Sequence, residues 1–322
     1  MSDTSQTKVT LLAGGVGGAK MAEGLAALPD VALSVIGNVA DDDSFHGLWV
    51  SPDIDTLTYS LADVIDRQQG WGVADEGHRA LETLKILGAD TWMSLGDRDF
   101  GLHIYRTQRR LTGDRPSDIA RDVARAFGVS AEILLPTDDQ VQTRVRTDAG
   151  WLSFQEYFVR ERCAPDVREL TFDGITQAKP TPEALAAITS ADLIVIAPSN
   201  PLVSIAPILG IPGIGEAVKS ARAPKVAVSP FIAGKVVKGP ADRMMAALGE
   251  RADAVGVAQR YRDVVDALFI DHVDAALAPE IQTIGPTPIC SAILMRDLKD
   301  KTRMAREIVD FHHDHARKGA AA

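Results

Sequence analysis

The chain has 322 residues, 46% of them hydrophobic and 24% charged, with a formal net charge of -10 at pH 7. This is the make-up of a globular protein long enough for one large α/β domain or two smaller ones. The acidic balance, with no local Lys/Arg cluster to offset it, excludes nonspecific binding to nucleic acid or to an anionic membrane surface.

From the N-terminus, the polar start MSDTSQTK has no apolar signal core, and the most apolar run, DLIVIAP, is too short to span a bilayer. A cytoplasmic protein is therefore expected. Residues 8–13 read as a buried strand, 19–28 as a helix and 31–36 as a second strand, which is a βαβ opening. Helical patterns follow over 54–66, 75–87, 101–111 and 116–127, the last opening with Pro116 and closing at Gly128. Between residues 132 and 174 the period changes. VQTRVRT and WLSFQEYFVR alternate around Asp148, Ala149 and Gly150, which predicts an inserted antiparallel patch with a hairpin. The βα rhythm resumes with a helix over 181–189, strands over 192–197 and 225–229, and an amphipathic helix over 299–318. The expected fold is α/β: a Rossmann-like, doubly wound, mostly parallel sheet in residues 1–135 and 181–322, with a small antiparallel β subdomain in 136–180. Cys163 and Cys290 are the only cysteines, without a Cys-x-x-Cys or a nearby His, so neither a zinc site nor a disulfide framework is expected.

The stretch LLAGGVGGAKMAEGL places Gly14, Gly15, Gly17 and Gly18 between the first strand and the first helix. A dinucleotide fingerprint from Gly15 and Gly17 would need glycine where Lys20 stands, and a Walker A loop from Gly14 finds Ala19, Lys20 and Met21. Asn38 stands near the end of the second strand, where an NAD site would use an acid to hold the ribose. What remains is a bare loop and a helix N-terminus, with Lys20 nearby, suited to a phosphate group or serving only as a tight turn.

Acids follow at the next strand end. Asp41, Asp42, Asp53 and Asp55 in NVADDDSFHG and SPDIDTLTY are either helix caps and solvated loop acids or ligands for a hard cation such as Mg²⁺ facing the glycine loop. In LGDRDFGLHIYRTQRR, Asp97 and Asp99 bracket Arg98 in a turn before a helix bearing Arg106, Arg109 and Arg110. This is either a self-satisfied ion-pair network or a site for both a phosphate and a hydroxyl. In IAPSNPLVSIAPIL, Ser199, Asn200, Pro201 and Ser204 end a buried strand, as a Pro-directed turn or as contacts to a nucleotide. The tail FHHDHARKG, with His312, His313 and His315, reads as a helical end rather than a metal site.

GGVGGAK, PDIDTLTY, LGDRDFGLH, PTDDQVQT, PSNPLVSIAPIL and VSPFIAGKVVKGPA, in this order, resemble the 2-phospho-L-lactate transferase family of coenzyme F-420 biosynthesis, from about Val9 to Gly256. The resemblance implies transfer of a phospho-acid group (phospholactyl, phosphoenolpyruvyl or 3-phosphoglyceryl) from a guanosine diphosphate-activated donor to the ribityl hydroxyl of deazariboflavin Fo. GMP is released, with Mg²⁺ as cofactor and a homodimer as the working unit. It implies that Gly14, Gly15, Gly17, Gly18, Lys20, Ser199, Asn200, Pro201 and Ser204 hold the guanosine diphosphate part. Asp42, supported by Asp41 or Asp53, would hold Mg²⁺. Asp53, Asp55, Asp97 and Asp99 would lie toward the acceptor, one of them orienting or deprotonating its hydroxyl. Arg98 would neutralise phosphate charge, and Trp92 would stack on the flavin-like rings or pack in the interior. The alternative is a nucleotide-sugar-binding regulatory protein of the YvcK type. It shares the glycine loop, but a DDGGSSG-like stretch after the second strand and no Gly-Asp-Arg-Asp cluster would be expected of it, the opposite of the pattern here.

Overall fold

A computed structural model of the chain describes residues 6–320, so the polar start over 1–5 lies outside the described residues. Seven strands make one sheet: β1 (Thr7–Ala13), β2 (Val31–Gly37), β3 (Glu132–Leu134), β4 (Leu193–Ile196), β5 (Lys225–Val228), β6 (Ala267–Asp271) and β7 (Thr287–Ser291). Their order is 3-2-1-4-5-6-7, and every pairing is parallel. β1 therefore sits between β2 and β4, with Leu11 opposite Val35 on one side and Val195 on the other. The switch in strand order falls between β1 and β4, where an open α/β sheet leaves a crevice beyond its carboxyl ends.

The strands are apolar at nearly every position because both faces are covered. Leu11, Ala13, Val35 and Val195 pack into one core with helices α1 (Gly15–Ala26) and α2 (Pro52–Leu61) and the C-terminal helix Leu298–Ala320. Leu12, Ile36, Ile194 and Ile196 point into the other core, shared with Ile188 of the helix Pro182–Ser190 and with Val255 and Val257 of Ala254–Tyr261. α1 lies close to the C-terminal helix because Gly24 has no side chain: a Cβ there would fall 2.4 Å from the Lys301 carbonyl oxygen. Beside it, the buried Lys301 ammonium pairs with Glu23. The strands Gln142–Thr147, Gly150–Ser153 and Glu169–Asp173 form the expected antiparallel patch, turning through Asp148 and Ala149, so that Thr147 pairs with Gly150. Val145, Phe154 and Tyr157 carry that patch into the second core.

The sequence pattern is corrected in several places. The expected patch includes residues 132–134, yet these are β3, the parallel edge strand beside β2. The helix expected over 54–66 is α2 and ends at Leu61, because Asp63 turns left-handed at φ 58° and Ile65 then bridges back to Val73. Of 75–87 only α3 (Arg79–Ile86) is helical, Asp75 also having positive φ. The helix expected from 101 is α4 (Asp97–Leu111), so Asp97, Arg98 and Asp99 are its first turn rather than a turn before it. α5 (Pro116–Ala126) begins at the expected proline. The pattern singles out neither β6 nor β7. Among the described residues no single helix is long and apolar enough to cross a membrane; the apolar pair Pro201–Gly210 and Ile214–Ser220 is bent by 89° and packs in the core.

Candidate active site

β1 ends at Ala13, and the chain enters α1 through Gly14 in an extended conformation and Gly15 at φ +61°. Gly14, Gly17 and Gly18 all answer to packing, a Cβ on Gly18 falling 2.9 Å from Ala13 Cβ. A Cβ on Gly14 would lie 2.6 Å from Asp53 Oδ2, and one on Gly17 only 2.2 Å from the Pro198 carbonyl oxygen. The turn after β4 is locked onto the loop: Ser199 Oγ donates to the Gly14 carbonyl (2.7 Å) and accepts from the Gly14 N–H (3.2 Å). Asn200 Oδ1 accepts from Leu202 N (2.9 Å) and caps a π turn over Pro201–Ile205. Ser204 lies against Gly14 from within that turn.

The acids after β2 reach the same loop. Asp53, in the first turn of α2, accepts the Gly15 N–H (2.8 Å) on Oδ1 and the Asn38 side-chain amide (3.0 Å) on Oδ2. Its carboxylate thus occupies the positive end of α1, where an anion is favoured. Asn38 in turn accepts Ala40 N (3.0 Å), shaping the path of the acid loop. Two glutamines hold that loop by its backbone: Gln155 donates to the Asp41 carbonyl and Gln142 to the Asp42 carbonyl, each at 3.2 Å. Asp42 Oδ2 accepts Ser51 Oγ (2.7 Å) and Trp49 Nε1 (3.1 Å).

The carboxyl groups of this cluster resist ionisation. Burial, then repulsion from Asp53, pushes Asp41 well above the usual carboxylate range, with the neighbouring Thr143 hydroxyl acting the other way. Burial likewise raises Asp53, against the Asn38 and Gly15 hydrogen bonds. Asp42 is pushed up to about 7 by burial, opposed by Ser51 and by the nearby Arg106. Asp41 Oδ1 and Asp42 Oδ1 are buried and accept no hydrogen bond. A buried carboxylate oxygen without a partner is costly unless a cation or proton completes it. Among the described residues no three His, Cys, Asp or Glu side chains are grouped as a metal cage. The donor set fits Mg²⁺ all the same, since Mg²⁺ takes one or two carboxylates and completes its shell with phosphate oxygens and water.

The other acids are engaged elsewhere. Asp55 is buried and bound by both ends of the Arg106 guanidinium, with His103 Nδ1 3.9 Å away. Asp97 caps α3, accepting Ala80 N (3.0 Å) and Arg79 N (3.4 Å). Asp99 accepts the Tyr59 hydroxyl (2.8 Å) and the Gly96 N–H (3.3 Å). Arg98 donates to the Ala74 carbonyl and borders a cavity of about 600 Å³ between α2, α4 and α5, lined also by Tyr59, Leu102, Tyr105 and Phe127. Trp92 packs edge-on against Phe45, with ring centres 5.3 Å apart, in a small apolar cluster with Leu95 and Phe100. The His315 side chain lies outside the described residues.

Beside the glycine loop opens a second cavity, of about 310 Å³. Val16, Gly17 and Lys20 of α1, Pro198 after β4, and Ser229 after β5 line it. The structure thus brings together the glycine loop, Lys20, Ser199, Ser204, Asp41, Asp42 and Asp53, and holds Asp55, Asp97, Asp99 and Trp92 in local networks. Asn38, Ser51, Gln142 and Gln155 were not assigned site roles by their sequence pattern, and Arg106, read there as part of an ion-pair network or a phosphate site, pairs with Asp55. For Asn38, Ser51 and Gln142 the signal is positional, each lying within or beside a chemistry-bearing stretch; Gln155 lies in the antiparallel patch and carries none.

The family model described as 2-phospho-L-lactate transferase CofD matches residues 9–283. The chain belongs to the 2-phospho-L-lactate transferase family. Within reach of that family, it is 39% identical over 311 residues to a phosphoenolpyruvate transferase of Streptomyces griseus, covering 94% of this chain and 98% of that one. It is 38% identical over 306 residues to a 2-phospho-L-lactate transferase of Methanopyrus kandleri, covering 94% and 96%. A solved structure of a Bacillus halodurans protein of the UPF0052 family overlays with a TM-score of 0.64 at 16% identity, covering 95% of this chain and 99% of that one, which bears on the fold alone. Membership makes the coarse activity that of a transferase family, and the glycine loop and acid cluster lie inside the matched span.

Proposed function

We propose that the chain transfers a phospho-acid group from a guanosine diphosphate-linked donor to the ribityl hydroxyl of deazariboflavin Fo, releasing GMP, as a step in coenzyme F-420 biosynthesis. The observation that carries this reading is the hydrogen bond from Gly15 N to Asp53 Oδ1, which joins the acid cluster to the glycine loop. With the Gly14 and Gly15 N–H groups held by Ser199 and Asp53, a pyrophosphate laid beside that junction would meet the next N–H groups of α1 on one side and carboxylates on the other. In the reaction, the ribityl oxygen bonds to the phosphorus that bears the acid. The bond from that phosphorus to the oxygen bridging to GMP breaks, and GMP leaves with that oxygen and the electron pair.

In this reading Gly14, Gly15, Gly17, Gly18, Lys20, Ser199, Asn200, Pro201 and Ser204 hold the guanosine diphosphate part. Asp41 and Asp53 would hold Mg²⁺, which when bound neutralises pyrophosphate oxygens. Asp42 is left to take the hydroxyl proton: its Oδ1 accepts no hydrogen bond, and its value of about 7 suits a general base at neutral pH. Arg106 steadies Asp42 as a carboxylate while neutralising Asp55. The same reading takes the working unit as a homodimer, checked by sedimentation.

The test is direct. Purified protein with Mg²⁺, Fo and each guanosine diphosphate-activated acid in turn (phospholactate, phosphoenolpyruvate, 3-phosphoglycerate) is expected to yield GMP and a phosphodiester by mass spectrometry. Competing the three donors in one pot then names the acid. Absence of GMP with all three would overturn the proposal.

A further inference from the structure

VSPFIAGKVVKGPA stands out in the sequence, and no role in the reaction above draws on it. It folds into a short hairpin, Phe231–Ile232 against Lys235–Val236, that arches over the 310 Å³ cavity beside the glycine loop. A second strap reaches the same cavity from the other side: Arg67, Gln68, Gln69 and Gly70 line it. The two straps meet at Lys238. Its ammonium donates to the Gln69 carbonyl and lies 4.4 Å from the centre of the half-exposed Trp71 ring. Gly70, at φ +80°, lets the strap pass close: a Cβ there would be 3.1 Å from Lys238 Nζ and 3.2 Å from Val16 Cγ1.

The charges at this cavity are unevenly matched. Arg67 is paired with Glu23 and Asp63, and the neighbouring Lys301 also pairs with Glu23. Among the described residues Lys20 and Lys238 form no ion pair, although both line the cavity. Burial lowers Lys238, and the charge of Lys20 lowers it further; Lys20 is lowered by burial and by Lys301, against Glu23. Two ammonium groups that repel each other across a concave site, next to exposed backbone at a helix start, make a place where a polyanion is stabilised.

We propose that Lys238 is a phosphate-binding residue: it leaves the Trp71 ring and the Gln69 carbonyl to join Lys20 on the pyrophosphate of the donor, drawing the two straps over the cavity. This rests on the nucleotide-linked donor of the preceding section. An ammonium held on an aromatic face and one carbonyl gives up weak contacts and gains charge-assisted ones.

Calorimetric titration of the full chain with Mg²⁺ and three probes, GDP, inorganic pyrophosphate and guanosine, tests it on the parent and on Lys238→Met, which keeps the aliphatic stem and removes the charge. The expected result is a loss of about tenfold or more in affinity for GDP and pyrophosphate with guanosine unchanged. GDP is also expected to shift the tryptophan emission of the parent, and Trp71→Phe to remove that shift while still binding GDP. Parent-like GDP and pyrophosphate affinity in Lys238→Met would overturn the proposal and leave the donor reading standing. Equal losses for guanosine and GDP would overturn it too, as collapse of the strap. A parent that binds neither GDP nor pyrophosphate would overturn both.

Discussion

Replacing Asp42 by Asn should make the metal-free protein more stable at alkaline pH while removing its turnover. In the folded chain the carboxyl group is 7% exposed and titrates at about 7, against 3.8 for an unburied aspartate. The folded state therefore holds a proton that the unfolded state gives up between these values. Stability drawn from that proton is full below about pH 4 and is lost as pH rises through about 7. At about 1.4 kcal/mol per pH unit, the loss reaches about 4 kcal/mol at pH 8 as an upper figure. Asparagine keeps an acceptor for Ser51 and Trp49 without the ionisation, so Asp42→Asn should unfold at higher urea than the parent at pH 8 in EDTA. The two should converge at pH 4. Such a residue gives up stability for function. Urea titrations followed by circular dichroism at pH 4, 6 and 8 read the effect. A variant no more stable than the parent at pH 8, or one that still turns over, would refute the reasoning.

Arg106→Met leaves the buried Asp55 facing only His103, and should cost about 3–5 kcal/mol in urea unfolding. The double variant Asp55→Asn with Arg106→Met should recover at least half of that loss; simple additivity would refute the pairing. His103, held down to about 4 by burial and by Arg106 against Asp55, is protonated more readily in the unfolded chain. Its contribution is full above pH 6.5 and lost as pH falls toward 4, up to about 3 kcal/mol, so His103→Asn should flatten the acid limb of the stability profile. Gly17→Ala places a Cβ against the Pro198 backbone carbonyl. It should lower the melting temperature and weaken GDP binding together, as measured by scanning calorimetry with and without GDP.

The strands from 8–13, 31–36, 192–197 and 225–229 were legible because a parallel strand buried on both faces is a continuous apolar run. TPICS was not, since it carries a proline and exposed residues at the sheet edge; ALFID is as continuous an apolar run as the others and was overlooked. The helix end after Leu61 was hidden because left-handed Asp63 carries no glycine to announce the break, whereas Gly77, inside the expected 75–87 helix and two residues before Arg79, was a signal the pattern overlooked. At the site, the glycine loop and its acids were visible as motifs, but the division of labour among the acids was not. Asp97 is a cap only because α3 ends its approach beside α4, and Asp55 is neutralised only because Arg106 lies across from it. Sequence spacing on one helix says nothing of the partner on the next.

In the proposed reaction the glycine loop and the Asp41, Asp42 and Asp53 carboxylates face one magnesium-bound pyrophosphate. Titrating GDP into the parent and into Asp41→Asn, each with Mg²⁺ and with EDTA, tests it most directly. The parent should lose affinity by about tenfold or more when Mg²⁺ is removed, and the variant should bind GDP weakly and alike in both conditions. Equal GDP affinity in all four titrations would contradict the claim.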